Sequence, residues 1–275
     1  MSTLEGKRLL ITGASRGIGE AIALRAARDG ARIAIVAKTE APHPKLPGTI
    51  HSVASQVEAL GGQAVPIACD LRFQDQIDSA VALAVDRLGG LDILVNNASA
   101  IFLAGTTDTP IERFDLMHGV NVRATFAMGR AAIPHLAEGR DPHILTLSPP
   151  LDLSPRWFAA HLAYTMSKYG MSMCTLGWSA ELLPQGIAAS SLWPRTVIDT
   201  AALRLLEGFV DRNRARRPEI VAEAAHAILT DRPRRRNGEL LIDEDVLRET
   251  GVDDFSEYAV DPELEPQIDL FLDET

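Results

Sequence analysis

Short apolar runs alternate with amphipathic helical stretches from the N-terminus of this chain to about residue 242, and this alternation limits the possible folds most strongly. It is typical of a parallel sheet with helices on both faces. The predicted strands are Arg8–Thr12, Arg32–Ala37, Ala64–Cys69, Ile93–Asn96, His143–Ser148, Ile187–Trp193 and Glu239–Ile242. The predicted helices are Gly17–Asp29, Ser52–Leu60, Gln74–Leu88, Pro110–Ala137, Leu162–Leu183 and Pro218–Thr230. The sequence therefore predicts an α/β fold with a doubly wound, seven-stranded parallel sheet.

The length and composition fit a single domain over residues 1–275. With 46% hydrophobic residues, the chain can bury one sizeable core. Three segments do not fit the alternation: an insert at 38–50, a loop at 195–217 that we expect near the substrate, and an acidic tail at 243–275. The apolar residues of the tail can dock on the body of the protein or on a neighbouring subunit.

Charge and cysteine content exclude several classes of protein. The 37 acidic residues exceed the 27 basic ones, and the resulting net charge of −10 repels nucleic acid. No apolar run approaches the ~20 residues that a membrane-spanning helix needs, and the N-terminal residues leave no room for a secretion signal. Cys69 and Cys174 lack the spacing of a metal site or a disulfide framework. We expect a soluble, cytoplasmic protein without a metal.

A glycine-rich turn, Thr12–Gly19, follows the first predicted strand. Glycines let the backbone turn tightly and let a diphosphate approach it, while the next helix offers free N–H groups and a positive dipole. This context favours a Rossmann-type dinucleotide site over the alternative, an ordinary strand–helix turn. The predicted contacts are Gly13, Ser15, Arg16, Gly17, Ile18 and Gly19.

The end of the second strand indicates which dinucleotide is bound. Enzymes that use NAD usually place an acidic residue there, whereas the extra phosphate of NADP needs cations. Here Lys38 follows the strand and Arg16 should point to the same place, so NADP(H) is favoured. The alternative is that Lys38 is solvated and Glu40 binds the ribose of NAD. Asp70, followed by Leu71, is placed to contact the adenine, although Asp70 is equally a common turn residue.

Tyr164 and Lys168 stand four residues apart in a predicted helix, so both side chains lie on one face of it. A neighbouring ammonium and a nicotinamide cation both favour the phenolate of a tyrosine, whose ordinary pKa is about 10. Tyr164 can then exchange the hydroxyl proton of a substrate. Both residues are also expected to contact the cofactor, where Lys168 holds the nicotinamide ribose. The alternative is a pair that merely lies on a helix surface.

Further polar residues fall at the ends of strands or inside a helix. Ser148 closes the fifth strand and can donate to a carbonyl oxygen as that oxygen becomes negative. Asn97, followed by Ala98 and Ser99, is expected to face the cofactor after the fourth strand. Asn121 lies inside a long predicted helix, which it can distort while holding a water that relays protons to the lysine. The alternative for Asn121 is a polar residue on an exposed turn.

Taken in chain order, these motifs resemble those of the short-chain dehydrogenase/reductase family, and the resemblance covers the whole domain. It implies that Tyr164 is the acid/base, Lys168 its activator, Ser148 the oxyanion donor and Asn121 the residue that holds a water. It also implies a homodimer or homotetramer, paired through the long predicted helices.

Two features depart from the usual pattern of this family. The Pro-Gly that normally follows the sixth strand is Pro194-Arg195, which puts a large cation beside the expected nicotinamide contacts Pro194, Thr196 and Val197. The interval from Ser148 to Tyr164 is a few residues longer than usual, so the pocket should have a different shape. A closer likeness, to a hydroxysteroid dehydrogenase-like branch of the family, is carried by Ala37–Ile50, Ser148–Leu151, Ala163–Met173, Leu192–Thr196 and the Phe-Leu-Asp-Glu at Phe271–Glu274.

Apolar residues dominate the segments that would form the wall of the pocket, which favours a fatty-acyl or sterol-like substrate and a role in lipid metabolism. They are Ile101, Phe102, Leu103, Leu151, Leu153, Trp157, Phe158, Trp193 and Leu203. The alternative is that half of them belong to the core. An arginine cluster at 195–217 fits an acidic handle on the substrate, such as a coenzyme A phosphate, or a solvated loop.

These features together predict an NADP(H)-dependent oxidoreductase that interconverts a small, apolar carbonyl compound and its alcohol by hydride transfer. The competing hypothesis is a nicotinamide-binding sensor or scaffold with little turnover, suggested by the altered Pro194-Arg195. The complete set of Ser148, Tyr164 and Lys168 favours the enzyme.

Overall fold

The computed structural model describes residues 3–42, 46–203, 210–232 and 234–273. Its strands are β1 (Arg8–Thr12), β2 (Arg32–Ala37), β3 (Gln63–Ala68), β4 (Ile93–Asn96), β5 (His143–Leu147), β6 (Ala188–Trp193) and β7 (Leu240–Ile242). They form one seven-stranded sheet in the order β3-β2-β1-β4-β5-β6-β7, with every neighbouring pair parallel. The predicted α/β fold with a doubly wound parallel sheet is confirmed.

Helices cover both faces of this sheet. They are α1 (Gly17–Arg28), α2 (Ile50–Ala59), α3 (Gln74–Leu88), α4 (Ile111–His118), α5 (Ala124–Leu136), α6 (Arg156–Ala159), α7 (Leu162–Glu181), α8 (Glu219–Leu229) and α9 (Asp243–Glu249). Because successive side chains of a strand point to opposite faces, Leu9 packs with α1, α2 and α8 in one buried cluster, while Leu10 packs with α3 and α5 in another.

The order of the strands reverses between β1 and β4, and this reversal positions the site. From β1 the chain moves outward to β3, and from β4 it moves the other way to β7. In such sheets a crevice opens at the carboxyl ends of the two central strands. The hydroxyl of Thr12, at the end of β1, accepts hydrogen bonds from the N–H groups of Asn97 (3.0 Å) and Ala98 (3.1 Å), just after β4.

Several boundaries differ from the prediction. The predicted helix Pro110–Ala137 is divided into α4 and α5 by a wide, π-type turn at Gly119–Arg123, which contains Asn121. The acidic tail, left without assigned structure, begins with α9. Within the insert and the 195–217 loop, residues 43–45 and 204–209 lie outside the described part of the chain. No helix in the described part is long and apolar enough to cross a membrane.

Candidate active site

The glycine-rich turn brings main chain to the crevice between β1 and β4. Gly13 has a φ of +67°, and a Cβ added to it would lie 2.8 Å from Cα of Ala98. A Cβ on Gly19 would lie 2.5 Å from Nδ2 of Asn97 and 2.8 Å from the carbonyl oxygen of Gly13. Only glycine fits at either position, so the turn leaves its backbone open at the N-terminus of α1. This cradle fits the diphosphate of a dinucleotide.

Asn97 holds the turn in place. Its amide donates to the carbonyl oxygens of Thr12 (2.8 Å) and Gly13 (3.3 Å), which ties the turn to the end of β4. The predicted cofactor contacts near Asn97 differ in exposure: Ser15 is buried, Ala98 is half-buried, and Ser99 is exposed at the crevice.

Arg16 is engaged by the 38–50 insert. Its Nε donates to the carbonyl oxygen of Pro47 and its Nη2 to that of Gly48, both at 3.0 Å. Gly48 has a φ of +90° and lies so close to the carbonyl oxygen of Ser15 that a side chain there would collide with it. The insert therefore packs directly on the glycine-rich turn and holds the guanidinium of Arg16 beside it, a contact that the sequence pattern did not predict.

The residues predicted at the adenine end of the site lie after β2 and β3. Lys38 and Glu40 are both exposed, and Leu71 is buried. Asp70 accepts hydrogen bonds from the main chain (3.1 Å) and the guanidinium (2.9 Å) of Arg72. The bonds from Arg72 hold the pKa of Asp70 below its ordinary value against the effect of burial, and the charge of Lys38 adds to the shift. Lys38 and Asp70 are thus near neighbours.

Tyr164 and Lys168 share the buried face of α7. The ammonium of Lys168 donates to the carbonyl oxygen of Leu147 (2.8 Å), at the end of β5, and lies 5.0 Å from the centre of the Trp193 ring. Burial lowers the pKa of Lys168 to about 7, although the charge of Asp269 opposes this shift. Burial raises the pKa of Tyr164, and Asp269 adds to the rise. The pKa of Tyr164 is thus raised, whereas its ammonium neighbour was expected to lower it.

Ser148 and Asn121 differ in how their polar atoms are satisfied. Ser148 is fully buried directly after β5, and its Oγ has no hydrogen-bond partner in the described part of the chain. Asn121 is also fully buried, but its amide oxygen accepts from the N–H of Ala100 (2.7 Å), and its Nδ2 donates to the carbonyl oxygen of Ala100 (3.0 Å) and to Oγ of Ser167 (2.9 Å). Asn121 therefore clamps the segment after β4 to α7, next to Lys168.

A cavity of about 590 Å³ opens at the carboxyl ends of these strands. The predicted site residues on its walls are Ile18, Asn97, Ser99, Tyr164, Lys168, Pro194 and Val197. Four of the predicted apolar residues, Ile101, Leu103, Trp193 and Leu203, line it as well. Phe102, Leu151, Trp157 and Phe158 instead pack into the buried cluster around Tyr169, and Leu153 is 72% exposed. The alternative that half of the apolar set belongs to the core therefore describes four of the nine residues.

Sequence reasoning missed a second group of residues on these walls. They are His161, Ile198, Thr200 and the segment Gln267–Leu270 of the C-terminal tail. The main-chain N–H of Val197, a predicted cofactor contact, donates to the carbonyl oxygen of Gln267 (2.9 Å). Thr196 is buried, and its Oγ1 has no hydrogen-bond partner among the residues that the structure describes. The pattern of the tail gives no local signal for this contact, because the two segments meet only in the folded chain.

Arg195 does not enter the cavity. Its guanidinium bonds to both carboxylate oxygens of Asp245 (2.8 Å each) and lies 3.6 Å from Glu244, and its main-chain N–H donates to Asp243 (2.8 Å). The expectation that Arg195 places a cation beside the nicotinamide is therefore wrong. The other arginines of this loop in the described part of the chain are also engaged: Arg212 with Asp199, Arg214 with the carbonyl of Glu265, Arg216 with Glu244 and Arg217 with the carbonyl of Glu257. This pairing speaks against an acidic handle on the substrate.

A family model described as short chain dehydrogenase matches residues 7–207, which includes the glycine-rich turn, Asn121, Ser148, Tyr164 and Lys168. The chain belongs to the short-chain dehydrogenase family. Members of this family are nicotinamide-dependent dehydrogenases and reductases, and most of this chain matches the family model. The orphaned Oγ of Ser148 and the glycine cradle fit such a cofactor and its substrate.

Curated relatives share a hydroxysteroid dehydrogenase-like name. The chain is 53% identical over 270 residues to hydroxysteroid dehydrogenase-like protein 2 of Danio rerio, covering 98% of this chain and 65% of the relative. It is 50% identical over 271 residues to the Homo sapiens protein of that name, covering 98% of this chain and 64% of the relative. The chain thus spans slightly less than two thirds of the length of these relatives.

Two solved structures show the same architecture over almost the whole chain. A putative dehydrogenase from Xanthomonas campestris superimposes with a TM-score of 0.96 at 58% identity, covering 99% of this chain and all of the other. A short chain dehydrogenase of Mycobacterium thermoresistibile has a TM-score of 0.93 at 49% identity, covering 98% of this chain and 96% of the other.

Proposed function

We propose that this protein is an NADP(H)-dependent oxidoreductase that interconverts an apolar carbonyl compound and its alcohol. The cavity carries this proposal, because it runs from Ile18 beside the glycine-rich turn to Tyr164 and Lys168, between largely apolar walls. A carbonyl group bound there would lie between a hydride donor on one side and a proton donor on the other.

Ser148 and Tyr164 are proposed to act on the carbonyl oxygen. Ser148 is fully buried and follows Leu147, which lines the cavity, while Ser148 itself is not on the wall. Its Oγ has no hydrogen-bond partner among the described residues and would donate to that oxygen as negative charge develops on it. Because burial keeps the phenol of Tyr164 protonated, Oη can give its proton to the same oxygen. A bound nicotinamide supplies the hydride for the carbonyl carbon, so one hydride and one proton convert the carbonyl to the alcohol. Alcohol oxidation uses the same transfers in reverse.

Lys168 is proposed to hold the nicotinamide ribose and to favour the phenolate left on Tyr164. Its ammonium is already fixed by the carbonyl of Leu147 and the ring of Trp193, at the wall of the cavity. Asn121 is proposed to support it, because its bonds to Ala100 and Ser167 fix α7 relative to β4. A role for Asn121 in holding a water remains a prediction.

The preference for NADP(H) is supported by two cations. Lys38 is exposed at the end of β2, and the insert holds the guanidinium of Arg16 beside the glycine-rich turn. We expect Lys38→Glu to weaken NADPH binding at least about tenfold, about 1.4 kcal/mol, while NADH binding changes little, because only NADPH carries the extra phosphate. Quenching of protein fluorescence by each cofactor measures both affinities.

The matched control for Lys38→Glu is Arg28→Glu, the same reversal of charge on an exposed residue at the C-terminal end of α1, away from the carboxyl ends of the strands. It should leave both affinities unchanged. Wild-type protein that binds NADH more tightly than NADPH, at matched salt, would contradict the preference and favour Glu40 as the ribose ligand.

The substrate is proposed to be apolar, with a fatty-acyl or sterol-like body. Ile101, Leu103, Trp193 and Leu203 line the cavity, and apolar surface of this kind binds an apolar ligand by excluding water from both. The test is a panel of medium-chain ketones, sterols, acyl-CoA compounds and small sugars, with NADPH consumption as the readout. Turnover of the sugars alone would overturn the apolar substrate, and tight NADPH binding without any turnover would favour a sensor.

A homodimer or homotetramer is proposed from the exposed faces of α5 and α7. Phe126 on α5 is 55% exposed, and Met166 and Met173, two turns apart on α7, are 45% and 56% exposed. We expect Met173→Glu to convert the oligomer to monomers, because a buried, unpaired carboxylate opposes association. Sedimentation measures the mass. Leu83→Glu, the same kind of change at a residue of α3 that is 40% exposed, should leave the mass unchanged.

A further inference from the structure

The C-terminal segment Gln267–Asp273 lies across the active-site cavity, far in sequence from α7. Residues Gln267–Leu270 form part of the cavity wall. The segment is tied to the end of β6 and the loop after it by hydrogen bonds from Val197 N to Gln267 O (2.9 Å), from Asp269 N to Arg195 O (3.0 Å) and from Trp193 Nε1 to Leu270 O (2.9 Å). At its end, the exposed side chains of Asp273 and Arg156 form an ion pair of 2.6 Å, and exposed pairs of this kind contribute little to holding a segment in place.

Phe271 anchors the segment behind the tyrosine of the proposed mechanism. Its ring stacks on the ring of Tyr164 at 6.2 Å with an interplanar angle of 25°, and it also lies 5.3 Å from Tyr169 and 5.8 Å from Trp193. The residue is only 2% exposed. Its φ of +72° is a conformation that side-chain-bearing residues adopt where surrounding contacts enforce it. The burial of the ring therefore fixes the position of the residues just before it.

Asp269 brings a carboxyl group to the same cavity. It lines the wall together with Tyr164 and Lys168, and its Oδ1 accepts a hydrogen bond of 2.8 Å from the N–H of Leu270, which fixes the orientation of the carboxyl group. The other titratable groups around it are His161, just before α7, and the buried Asp243 at the start of α9. Burial raises the pKa of Asp269 to about 7, Asp243 adds to this shift and Lys168 opposes it.

We propose that Asp269 is a positioning residue of the active site, whose charge keeps the amine of Lys168 and the phenol of Tyr164 protonated while Phe271 holds it in place. The physical reason is that a negative charge in a cavity of low dielectric makes the removal of a proton from either neighbour less favourable. The inference rests on the proposed function for the roles of these two neighbours. It adds an acid from the C-terminal segment to a site otherwise built on the sheet and α7.

The test is the pH dependence of carbonyl reduction by Asp269→Asn. Reduction needs the proton of Tyr164 and the charge of Lys168, so activity falls as the pH rises through their ionisation. Removing the negative charge lowers the pKa of both groups. The alkaline limb of kcat/KM should therefore move to lower pH by about one unit. Asp269→Glu, which keeps the negative charge, should have its limb close to the wild-type position.

Asp273→Asn is the matched control, because it makes the same change in the same segment on an exposed side chain outside the cavity. Its limb should coincide with that of the wild type. Phe271→Ala, which frees the segment without changing a charge, should move the limb in the same direction as Asp269→Asn. A folded Asp269→Asn whose limb coincides with that of Asp273→Asn would overturn the proposal, as would an unshifted limb for Phe271→Ala.

A second readout separates this inference from the proposed function. The pH dependence of NADPH affinity, followed by fluorescence, reports the ionisation of Lys168 without any turnover. It should shift to lower pH in Asp269→Asn and stay unchanged in Asp273→Asn. If no carbonyl compound is reduced but this shift is present, the proposed reaction fails and the role of Asp269 stands. If reduction occurs and neither profile shifts, the role of Asp269 fails alone.

Discussion

Tyr164→Phe is expected to lower kcat for carbonyl reduction by about 10²–10⁴-fold, the usual contribution of a positioned general acid. The substitution removes one hydroxyl from a buried ring that stacks on Phe271, so the packing should persist. NADPH affinity should stay within about threefold, since the cradle lies on the glycine-rich turn. The measurements are single-turnover NADPH oxidation and a fluorescence titration of NADPH.

The control is Tyr258→Phe, because Tyr258 packs against the cluster on the opposite side of the sheet, near α8 and α9, and does not line the cavity. It should keep the wild-type kcat. If Tyr164→Phe turned over at the wild-type rate, Tyr164 could not be the acid, and Ser148 and Lys168 would have to supply the proton by another route.

The sheet could be predicted from the sequence because each strand is an apolar run that ends at a turn residue. β1, β2 and β4 have the predicted boundaries, β3 is shifted by one residue at both ends, and β5, β6 and β7 each differ by one residue at one end. The glycine-rich turn could be predicted as well, because the spacing of its glycines and the strand and helix on either side of it are local features of the sequence. The proposed catalytic pair could be picked out because Tyr164 and Lys168 lie one helical turn apart.

The contacts that the sequence did not reveal are those between distant segments. Nothing in the run around Phe271 indicates that its ring will lie on Tyr164, and nothing around Arg16 indicates that the carbonyls of Pro47 and Gly48 will bind it. Each contact depends on where a loop returns after leaving the sheet. Arg195 shows the same limit, because its carboxylate partners lie on α9, which the sequence pattern did not predict.

The break between α4 and α5 is an intermediate case. The sequence suggested that Asn121 could distort its helix, and the wide turn at Gly119–Arg123 is that distortion. Its cause is tertiary, because the amide of Asn121 bonds to Ala100 and to Ser167 rather than to its own helix. A local pattern can thus mark an unusual residue, while its partners become visible only in the fold.

Stability depends strongly on one buried carboxylate at the start of β4, remote from the cavity. Asp92 is fully buried and accepts hydrogen bonds from Arg8 N (2.9 Å), Arg8 Nε (2.9 Å), Arg8 Nη2 (2.6 Å) and Arg140 N (2.7 Å). Burial alone would raise the pKa of Asp92, but the bonds from Arg8 and from the N–H of Arg140 outweigh it and hold the pKa below its ordinary value. The carboxylate therefore joins β1, β4 and the segment before β5.

Asp92→Ala is expected to lower the free energy of unfolding by about 3 kcal/mol near neutral pH, because it leaves Arg8 and two main-chain N–H groups without their partner. Since the folded pKa is depressed, the contribution is complete above the unfolded-state pKa of about 3.9 and is lost as the pH falls through the folded value. Urea unfolding of the wild type and of Asp92→Ala, from neutral to acid pH, measures the difference in their free energies of unfolding, which should become smaller as the pH falls. Asp86→Ala, which removes an exposed carboxylate 3.7 Å from Arg87, should cost at most about 0.5 kcal/mol. An equal loss in the two variants would show that the buried network does not join these strands.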